Sequence, residues 1–579
     1  MPKTETPGAA TDLPYLNSAR TVCDLLLATA AVNKDRIALR SYEDGVQWTY
    51  GEVMARIGAI ASRLQAVGVT HGVPVALMLR NRPEFHVVDA AAMLLGAVPF
   101  SIYNTLAPDQ IRHVLSDAGP DIVVTESVFV PALQAARELG APFGRLLVID
   151  KAVDGCVDLT AELEAEETDF DFGIAADVEP DDLLTLIYTS GTTGPSKGVE
   201  LTHAGMLAQL RGVHMAMPLP SRGRQVSFLP AAHVADRWTS HYSAFMTYAN
   251  TVTCVADLDN LPTAVGKTKP TVFLAVPRVW EKFKASIEAA YPDDLTADAV
   301  EPDLAASMRQ KLGLADAAWL ITGAAPTPRA VIDFFVRLGL PLCEGLGMSE
   351  TSCVVTANTP GSLRPGSVGR PIETVEVSLT EDGELLIRGP QLMRAYRGRP
   401  EQTAEAIDAD GWLHTGDIAR IDADRFVWIV DRKKELIINA AGKNMSPANV
   451  EMAIRSAGNM IAHVCVVGDA RPYNVALIVL DPTTTGPLNA GDPSLHPHVR
   501  EQIERANITL ARVEQIKKFL ILPREWRNGI ELTPTGKLRR RVITEMYASE
   551  IEDLYSSAIE FSWPKYRAAP TKSQGAELP

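Results

Sequence analysis

The sequence predicts a large N-terminal α/β domain with layered sheets and a small β-barrel-like part, followed by a smaller α+β C-terminal domain. Two observations support this fold class. In the first half, short apolar runs of β type alternate with segments whose apolar residues recur at helical spacing. After about Gly366, a hairpin and further short strands replace that alternation.

The first half supplies the alternating elements, which predict mostly parallel sheets covered by helices. Apolar residues at positions 53, 54, 57, 60, 61, 64 and 67 form one face of a predicted helix. Further helices are predicted at residues 84–95 and 131–139. The predicted strands are residues 74–79, 121–125, 146–149, 226–229, 251–255, 271–274, 319–321 and 338–342.

The second half begins with a predicted β-hairpin at residues 375–379 and 384–388, followed by short strands at 426–430 and 435–439. The charged run Asp431-Arg432-Lys433-Lys434 between those short strands predicts a domain boundary. Beyond it we expect helices at 447–456 and 498–513, strands at 462–468 and 475–480, and a loop at 482–496. The predicted organisation is a disordered tail at 1–12, an N-terminal domain at 13–431, a C-terminal domain at 432–565 and a disordered tail at 566–579.

Composition restricts the class of protein. The net charge of −16 over 579 residues disfavours a nucleic-acid partner, because phosphate backbones require a basic surface. The 6 cysteines form no C-x-x-C pair, which fits a reducing cytoplasm. We expect no signal peptide, and the longest apolar stretch, at about residues 90–100, is too short to span a bilayer. The protein is therefore expected in the cytoplasm as a monomer or homodimer, with transient contact with a membrane left open.

A loop rich in glycine and hydroxyl groups follows a β-type run at residues 184–188. It contains Thr189, Ser190, Gly191, Thr192, Thr193 and Gly194, and Lys197 comes soon after. Glycines let backbone N–H groups approach an anion, hydroxyls add donors, and the lysine adds a positive charge. The spacing does not match a Walker loop, in which the lysine follows a glycine and precedes Ser or Thr. We interpret the loop as a phosphate cradle; the alternative is a flexible linker.

Other segments offer single functional groups. Glu350, in the turn Gly347-Met348-Ser349-Glu350, could hold a magnesium ion together with substrate phosphates, or could simply cap a helix. Asp417 and Arg432 could bind ribose hydroxyls, although each alone is also typical of a turn aspartate or a surface ion pair. Lys537 lies on a Pro/Gly turn before a basic helix and could neutralise charge at a phosphorus atom, although the local pattern alone is more typical of a basic helix start on a solvated face.

Taken together, these motifs resemble a known family. The loop at 188–198, Gly323-Ala324-Ala325-Pro326, Ser349-Glu350, the turn at 412–417, Asp431-Arg432 and Thr535-Gly536-Lys537 occur in the order found in the adenylate-forming superfamily. That superfamily contains acyl-CoA synthetases, luciferases and peptide-synthetase adenylation domains, and the resemblance covers about residues 21–541. The segments at 227–237, 270–282 and 442–447 look like those of bacterial long-chain fatty acyl-CoA synthetases.

The resemblance implies a reaction in two halves. A fatty carboxylate attacks the α-phosphorus of ATP in the presence of Mg²⁺, which gives acyl-adenylate and pyrophosphate. The thiol of coenzyme A then attacks the acyl carbon and AMP leaves. The implied C-terminal domain is mobile and rotates between the two half-reactions.

The resemblance also implies roles for individual residues. The implied catalytic residues are Lys537, Glu350, Lys197 and His233, and the implied magnesium ligands are Glu350 and Thr189. Lys434 matches the hinge position. The implied nucleotide and coenzyme A contacts are Thr189, Ser190, Gly191, Thr192, Thr193, Gly194, Gly323, Ala324, Ala325, Glu344, Gly345, Leu346, Gly347, Ser349, Asp417, Arg432, Lys434, Gly442 and Lys443. Candidates for an apolar acyl channel are His233, Val234, Trp238 and Tyr242, with core packing as the alternative for Trp238.

Three departures from the family pattern stand out. The stretch from Lys282 to Trp319 is shorter than in many long-chain members, and the other two are local. Leu346 replaces the usual tyrosine that stacks on adenine, and Asp424-Arg425 replaces the usual Asp-Gly turn. Arginine disfavours the left-handed conformation that such a turn requires. The alternatives are an adenylating ligase for a medium-chain, aryl or sterol-derived acid, a fatty acyl-AMP ligase, and a degenerate nucleotide-binding protein.

Overall fold

The structure, a computed structural model, describes residues 13–189, 195–292, 300–440, 443–485, 492, 494–533 and 536–556. The predicted tails at 1–12 and 566–579 lie outside the described residues, and so do residues 190–194 and Gly442. The chain divides into two compact units. Unit 1 extends through Lys434 and includes Arg527–Arg539, and unit 2 comprises Glu435–Trp526 and the chain from Arg540 onward. The division thus falls at the end of the charged run 431–434, and it assigns the Lys537 segment to unit 1.

Unit 1 consists of helices packed on several sheets. Its helices are α1 (Pro14–Ser18), α2 (Val22–Val32), α3 (Tyr50–Ala66), α4 (Pro83–Leu94), α5 (Pro108–Ala118), α6 (Val130–Glu138), α7 (Thr160–Leu163), α8 (His203–Ala216), α9 (Val234–Asp236), α10 (Leu261–Thr268), α11 (Pro277–Ala290), α12 (Pro302–Leu312), α13 (Arg329–Arg337) and α14 (Pro400–Ala406). A π-helix spans Arg237–Phe245, and short 3₁₀ turns span Ser127–Phe129, Phe172–Asp177, Leu258–Asn260 and Ser349–Thr351.

The strands of unit 1 are β1 (Ile37–Ser41), β2 (Gln47–Thr49), β3 (Pro74–Met78), β4 (Val98–Ser101), β5 (Ile122–Thr125), β6 (Arg145–Val148), β7 (Val157–Asp158), β8 (Leu183–Thr189), β9 (Lys197–Thr202), β10 (Arg224–Ser227), β11 (Thr251–Cys254), β12 (Val272–Ala275), β13 (Trp319–Thr322), β14 (Leu342–Met348), β15 (Cys353–Ala357), β16 (Arg370–Pro371), β17 (Glu376–Leu379), β18 (Glu384–Arg388), β19 (Ala395–Tyr396), β20 (Leu413–Ile421) and β21 (Val427–Arg432).

One sheet is entirely parallel, in the order β4-β3-β5-β6-β7. Successive side chains of a strand point to opposite faces, so Val75 and Leu77 of β3 pack into one core cluster and Ala76 and Met78 into another. Helices α3 and α4 contribute to the first cluster and α5 and α6 to the second. Because both faces are covered, these strands read as continuous apolar runs in the sequence.

Two mixed sheets complete the α/β part of unit 1. One has the order β10-β11-β1-β2 and the other the order β12-β13-β14-β15-β16. In the second sheet β12, β13 and β14 are parallel, whereas β15 and β16 are antiparallel to their neighbours. The carboxyl ends of parallel strands lie at one edge, so the segments that follow β13 and end β14 come together there.

Two antiparallel sheets follow the hairpins of the sequence. The order β17-β18-β20-β21 includes the predicted hairpin and stands where the small barrel-like part is expected. The order β19-β9-β8 joins strands that are far apart in the chain. Both sheets carry residues of the candidate site.

Local signals explain where several helices begin. The Thr21 and Thr49 hydroxyls each accept a hydrogen bond from the backbone N–H of the third helical residue, and the carboxylates of Asp24 and Glu52 accept from the backbone N–H of Thr21 and Thr49. This reciprocal capping satisfies N–H groups that would otherwise lack a partner at the helix start. Proline occupies the first helical position of α4 and α5, where its missing N–H costs nothing.

Unit 2 is a small α+β body with its own core. Strands β24 (Ile461–Val467), β25 (Asn474–Leu480) and β26 (Ile516–Ile521) form one sheet, and β22 (Ile437–Ile438) pairs with β23 (Asn444–Met445). The helices are α15 (Pro447–Ser456), α16 (Pro482–Thr485), α17 (Leu495–Thr509), α18 (Arg540–Met546) and α19 (Ala548–Ser556). The predicted fold class, a large α/β part and a smaller α+β part, is confirmed.

Three local expectations need correction. Residues 338–342 were expected to form a strand, but α13 continues to Arg337, and β14 begins only at Leu342. The expected loop at 482–496 contains the short helix α16 and the first two residues of α17. Arg425 does adopt the left-handed conformation, with φ at 68°. Asp422 fixes this turn, because its carboxylate accepts from Asp424 N at 3.0 Å and Phe426 N at 2.9 Å.

Candidate active site

The glycine and hydroxyl loop connects two paired strands. Thr189 ends β8 and lies opposite Lys197, the first residue of β9, so both are fixed by the ladder of an antiparallel hairpin. Below the loop, the Tyr188 hydroxyl donates to Asp117 Oδ2 at 2.9 Å. His113 Nε2 contacts the Ser196 carbonyl oxygen at 2.8 Å. Ser190, Gly191, Thr192, Thr193 and Gly194 lie outside the described residues, so the structure positions only the two ends of the predicted cradle.

Tyr396 connects Lys197 with Glu350. The Lys197 ammonium lies 4.0 Å from the centre of the Tyr396 ring, and the Tyr396 hydroxyl donates to Glu350 Oε1 at 2.9 Å. Partial burial lowers the pKa of Lys197, the positive charges of Lys434 and Arg399 lower it further, and Glu350 opposes them. Burial and the negative charge of Glu350 raise the pKa of Tyr396. The arrangement holds a lysine, a phenol and a carboxylate in one cluster.

Sequence reasoning missed Tyr396. It lies on the short strand β19, which pairs with β9 through the register Tyr396↔Val199. This pairing brings Tyr396 beside Lys197. The residues around Tyr396 in the sequence give no indication of that contact.

Glu350 lies in a tight turn after β14. The turn Ser349–Thr351 leads into Ser352 and Cys353, which both have positive φ, and the antiparallel strand β15 then returns along β14. Ser349 is buried at the start of this turn. The backbone at Glu350 is fixed further because Met393 N donates to its carbonyl oxygen at 2.7 Å.

Gly347 permits the close return of the chain. A Cβ added there would lie 2.2 Å from the carbonyl oxygen of Cys353, which is backbone and cannot turn away. We therefore expect Gly347→Ala to lower the free energy of unfolding by about 2 kcal/mol, as overpacking does, and to displace the Glu350 turn. Urea unfolding measures the first effect. The matched control is Gly361→Ala, where a Cβ meets nothing within 4 Å; equal stability of the two variants would contradict this reading.

The segments predicted to line adenine meet at the carboxyl edge of β13 and β14. Thr322 pairs with Glu344, and Gly323 follows so closely that a Cβ there would lie 3.2 Å from Gly345 O. Ala324 has a positive φ of 66°, and Ala325 is exposed. Burial raises the pKa of Glu344 to about 7, against the effect of the Gly366 N–H, which donates to Glu344 Oε2 at 2.6 Å. Leu346 is half-buried and packs against the main core.

Asp417 and Arg432 face each other on neighbouring strands. They are register partners in β20 and β21, and Arg432 Nε lies 2.7 Å from Asp417 Oδ1. The Asp417 side chain is 6% exposed, whereas Arg432 is 49% exposed. Burial raises the pKa of Asp417, and the positive charges of Arg432 and Lys537 act against it. The pair offers a buried acceptor and an accessible donor.

Lys537 belongs to the segment that groups with unit 1. Its backbone is held in a turn, because Lys537 N donates to Thr533 Oγ1 at 3.0 Å and Thr533 N donates to Lys537 O at 2.8 Å. Its ammonium is close enough to act on the pKa values of Asp417 and His233. Glu350 also acts on Asp417. The structure therefore brings Lys197, Glu350, Asp417, Arg432 and Lys537 into one electrostatic neighbourhood.

His233 caps the start of α9. Its Nδ1 accepts a hydrogen bond from Ala235 N at 3.1 Å, which leaves the proton of the neutral ring on Nε2. Burial and the nearby Lys537 ammonium lower the pKa of His233 to about 3, so the ring is neutral near pH 7. Val234, Trp238 and Tyr242, which were candidates for an acyl channel, are all buried in the main core cluster.

The two residues that were expected to contact coenzyme A have to be considered separately. Lys443 is exposed and belongs to unit 2, and Gly442 lies outside the described residues. Among the described residues, no group of three or more His, Cys, Asp or Glu side chains could hold a metal ion by itself. The Glu350 carboxylate and the Thr189 hydroxyl are oxygen ligands of the kind that Mg²⁺ takes when its other ligands come from phosphate and water. None of the helices in the described ranges is long and apolar enough to cross a membrane.

Comparison with known proteins gives related sequences and folds. A fatty-acid–CoA ligase named fadD11 from Mycobacterium tuberculosis is 42% identical over 449 residues, covering 69% of this chain and 78% of that protein. The long-chain-fatty-acid–CoA ligase FadD15 of the same organism is 32% identical over 588 residues, covering 90% and 95%. The o-succinylbenzoate coenzyme A synthetase of Bacillus subtilis, solved with ATP and a magnesium ion, superimposes with a TM-score of 0.69 at 22% identity, covering 89% and 98%.

Two protein-family models match this chain and together cover most of its length. Residues 26–397 match the AMP-binding enzyme family, and residues 434–559 match the C-terminal domain of AMP-binding enzymes. The first match alone spans more than half of the 579 residues. The chain therefore belongs to the AMP-binding enzyme family.

Proposed function

We propose that this protein is an AMP-forming fatty acyl-CoA ligase that converts a long-chain fatty acid, ATP and coenzyme A into acyl-CoA, AMP and pyrophosphate. The observation that carries the proposal is a set of charged groups in unit 1: Tyr396 contacts both Lys197 and Glu350, Arg432 pairs with Asp417, and the charges of Lys537 and Glu350 both act on Asp417. The names of the related ligases support the fatty acid as substrate.

The first half-reaction brings an anionic carboxylate to a polyanionic nucleotide, so the site must reduce electrostatic repulsion. Lys197 would lie beside the phosphates held by the 189–194 loop, and Lys537 would stabilise the charge that develops when the carboxylate oxygen attacks the α-phosphorus. The bond from the α-phosphorus to pyrophosphate breaks in this step. A bound Mg²⁺ would supply further neutralisation at the phosphate oxygens, with Glu350 and Thr189 as its protein ligands.

The nucleoside would contact two parts of unit 1, with adenine at the carboxyl edge of β13 and β14 and ribose at Asp417 of β20. The Asp417 carboxylate would accept hydrogen bonds from ribose hydroxyls, and Arg432 both neutralises and orients that carboxylate. Gly323 packs closely on Gly345, where an added Cβ would lie 3.2 Å from the Gly345 carbonyl oxygen, and the segments 323–325 and 344–346 would together line the adenine. Leu346 would give apolar contact with adenine in place of aromatic stacking.

His233 would act as a neutral hydrogen-bond donor. Its Nε2–H is available because Nδ1 is occupied by the Ala235 N–H. A donor at this point can bind an oxygen of the acid before attack or of the acyl-adenylate afterwards, without adding a charge. A lowered pKa keeps this role constant across the physiological pH range.

The second half-reaction requires the thiol of coenzyme A to reach the acyl carbon as AMP leaves. We propose Lys434 as the hinge, because it is the last residue of unit 1 before the chain enters unit 2. Rotation there would present Gly442 and Lys443 to the pantetheine group, and it would withdraw Lys537 through the covalent link between Arg539 and Arg540, the first residue of unit 2 after the Lys537 segment. Location in the cytoplasm and a monomeric or homodimeric state remain predictions.

Tyr396→Phe tests the hydroxyl that orients Glu350. The ring still covers Lys197, but the hydrogen bond to Glu350 Oε1 is lost. We expect about a tenfold higher Mg²⁺ concentration for half-maximal acyl-adenylate formation, in keeping with one charge-assisted hydrogen bond. Saturating Mg²⁺ should restore most of the rate. The matched control is Tyr15→Phe, whose hydroxyl contacts Thr247 O instead; an equal Mg²⁺ requirement in both variants would contradict the assigned role.

The proposed function is tested with ATP, Mg²⁺ and fatty acids of graded length, with and without coenzyme A. Formation of acyl-CoA that peaks with long chains supports the proposal. Acyl-adenylate that forms but never transfers to coenzyme A would instead indicate a fatty acyl-AMP ligase. Activity only with medium-chain, aryl or sterol-derived acids would change the substrate class, and absence of pyrophosphate release with every acid would indicate a degenerate nucleotide-binding protein.

A further inference from the structure

The chain passes between its two units at residues 434/435, 526/527 and 539/540. Two of these crossings flank residues of the proposed mechanism. Lys434 immediately precedes the first crossing, and Lys537 lies three positions before Arg540, the first residue after the last crossing. A contact between the residues that follow these two crossings joins the chain next to Lys434 to the chain next to the Lys537 segment.

Arg540 makes a contact of this kind with Glu435, and both residues belong to unit 2. Its guanidinium forms a bidentate pair with Glu451 of α15, and its Nε lies 3.1 Å from Glu435 Oε2. Glu451 also accepts from Val466 N of β24 at 2.8 Å, so Arg540 is anchored to the core of unit 2. The side chains of Arg540 and Glu435 are only 16% and 21% exposed. Glu435 and Arg540 are the residues that directly follow the two crossings.

Hydrogen bonds connect Arg539, the last residue of the Lys537 segment, with the beginning of that segment. Arg539 N donates to Glu531 O at 2.8 Å, and Arg539 Nη1 donates to Gly529 O at 2.8 Å and Ile530 O at 3.0 Å. Leu532 pairs with Leu538 in an antiparallel bridge. Within the described part of Arg527–Arg539, Lys537 is therefore held by a hairpin whose last residue is joined directly to Arg540.

We propose that the Glu435–Arg540 ion pair is a clamp between the two chain crossings and that Glu435 is a positioning residue for Lys537. This inference rests on the proposed function, because it assigns Glu435 an effect on the adenylation step. The ion pair with Glu451 anchors Arg540 in unit 2. The ion pair with Glu435 then connects this anchored residue to the chain directly after Lys434, the proposed hinge. A partly exposed ion pair contributes little to stability, and its geometry is therefore the more important property.

The test is a double-mutant cycle between Glu435→Ala and Lys537→Ala. We expect Glu435→Ala to slow acyl-adenylate formation by about tenfold, since a small misplacement of a catalytic group costs up to about 100-fold. The KM for ATP and thioester formation from supplied acyl-adenylate should change by less than about twofold. In the Lys537→Ala background, Glu435→Ala should have no further effect, because its influence passes through Lys537.

The control is Glu552→Ala, which removes the partner of Arg471 elsewhere in unit 2. It should leave adenylation unchanged and alter the thermal midpoint as little as Glu435→Ala does. An equal loss of adenylation in the control overturns the clamp. The clamp is also overturned if Glu435→Ala slows acyl-adenylate formation by the same factor in the Lys537→Ala background as in the wild-type protein.

A second readout separates this inference from the proposed function. If the wild-type protein activates no acid, the proposed function fails, and amide hydrogen exchange of Arg527–Arg539 then decides on the clamp. Faster exchange of this segment in Glu435→Ala than in wild type and Glu552→Ala supports the tie. Equal exchange in all three proteins overturns it.

Discussion

Replacement of Lys537 by alanine is expected to slow acyl-adenylate formation by roughly 100- to 1,000-fold, while thioester formation from supplied acyl-adenylate retains most of its rate. The reason is the location of the charge. The Lys537 charge lowers the pKa of both Asp417 and His233, so its field reaches the proposed ribose and carboxylate sites. Its removal leaves the developing negative charge at the α-phosphorus without this partner.

The two half-reactions are measured separately, by pyrophosphate exchange and by acyl-CoA formation from synthetic acyl-adenylate. The control is Lys282→Ala on the exposed side of α11, which should leave both rates unchanged. Equal losses in the two half-reactions of Lys537→Ala would refute a role confined to adenylation. Equal losses in the two lysine variants would refute a specific role altogether.

Much of the fold could be predicted because its elements have strong local signals. The apolar face at 53–67 became α3 (Tyr50–Ala66), and the hairpin at 375–388 became β17 and β18. Failures occurred where local signals were weak. Residues 338–342 are apolar but follow α13 directly, so burial at a helix end was mistaken for a strand.

The sequence singled out the charged residues of the candidate site but not the residue that joins two of them. Lys197, Glu350, Asp417 and Arg432 were all expected to contribute, and each lies in a short motif. Tyr396, which connects the first two, depends on the pairing of β19 with β9 across about 200 positions of the chain. Pairing over such distances is decided by tertiary packing, which a single sequence does not display.

Arg425 illustrates a local rule overridden by its surroundings. A left-handed arginine costs about 1–2 kcal/mol relative to the ordinary conformation. The Asp422 carboxylate binds backbone N–H groups of this turn and also pairs with Arg364. These bonds offset the conformational cost, so the turn keeps its shape without glycine.

A second large effect is expected from a buried ion pair that the sequence did not reveal. Arg237, the first residue of the π-helix, pairs with Asp89 of α4, and both side chains are almost inaccessible to solvent. His241 Nε2 also contacts Asp89, at 2.9 Å, while Arg237 donates to Ser101 Oγ at 2.8 Å. Burial would raise the pKa of Asp89, but Arg237 and His241 lower it overall, so the carboxylate stays ionised.

Asp89→Ala is therefore expected to lower the free energy of unfolding of unit 1 by about 3–5 kcal/mol, because it leaves the Arg237 charge buried without its partner. Urea unfolding followed by tryptophan fluorescence measures this loss. Asp333→Ala is the matched control: its pair with Arg329 is solvent-exposed and should be worth less than about 1 kcal/mol.

The double variant Asp89→Ala/Arg237→Leu distinguishes a charge effect from a packing effect. It removes both charges, so it should regain a substantial part of the stability lost in Asp89→Ala. The free energy of unfolding of the double variant could instead fall below that of Asp89→Ala by as much as an ordinary second core substitution costs. In that case Arg237 stabilises unit 1 through packing of its side chain and not through its charge. Because Arg237 directly follows the short helix capped by His233, the double variant should also slow adenylation even where it restores stability.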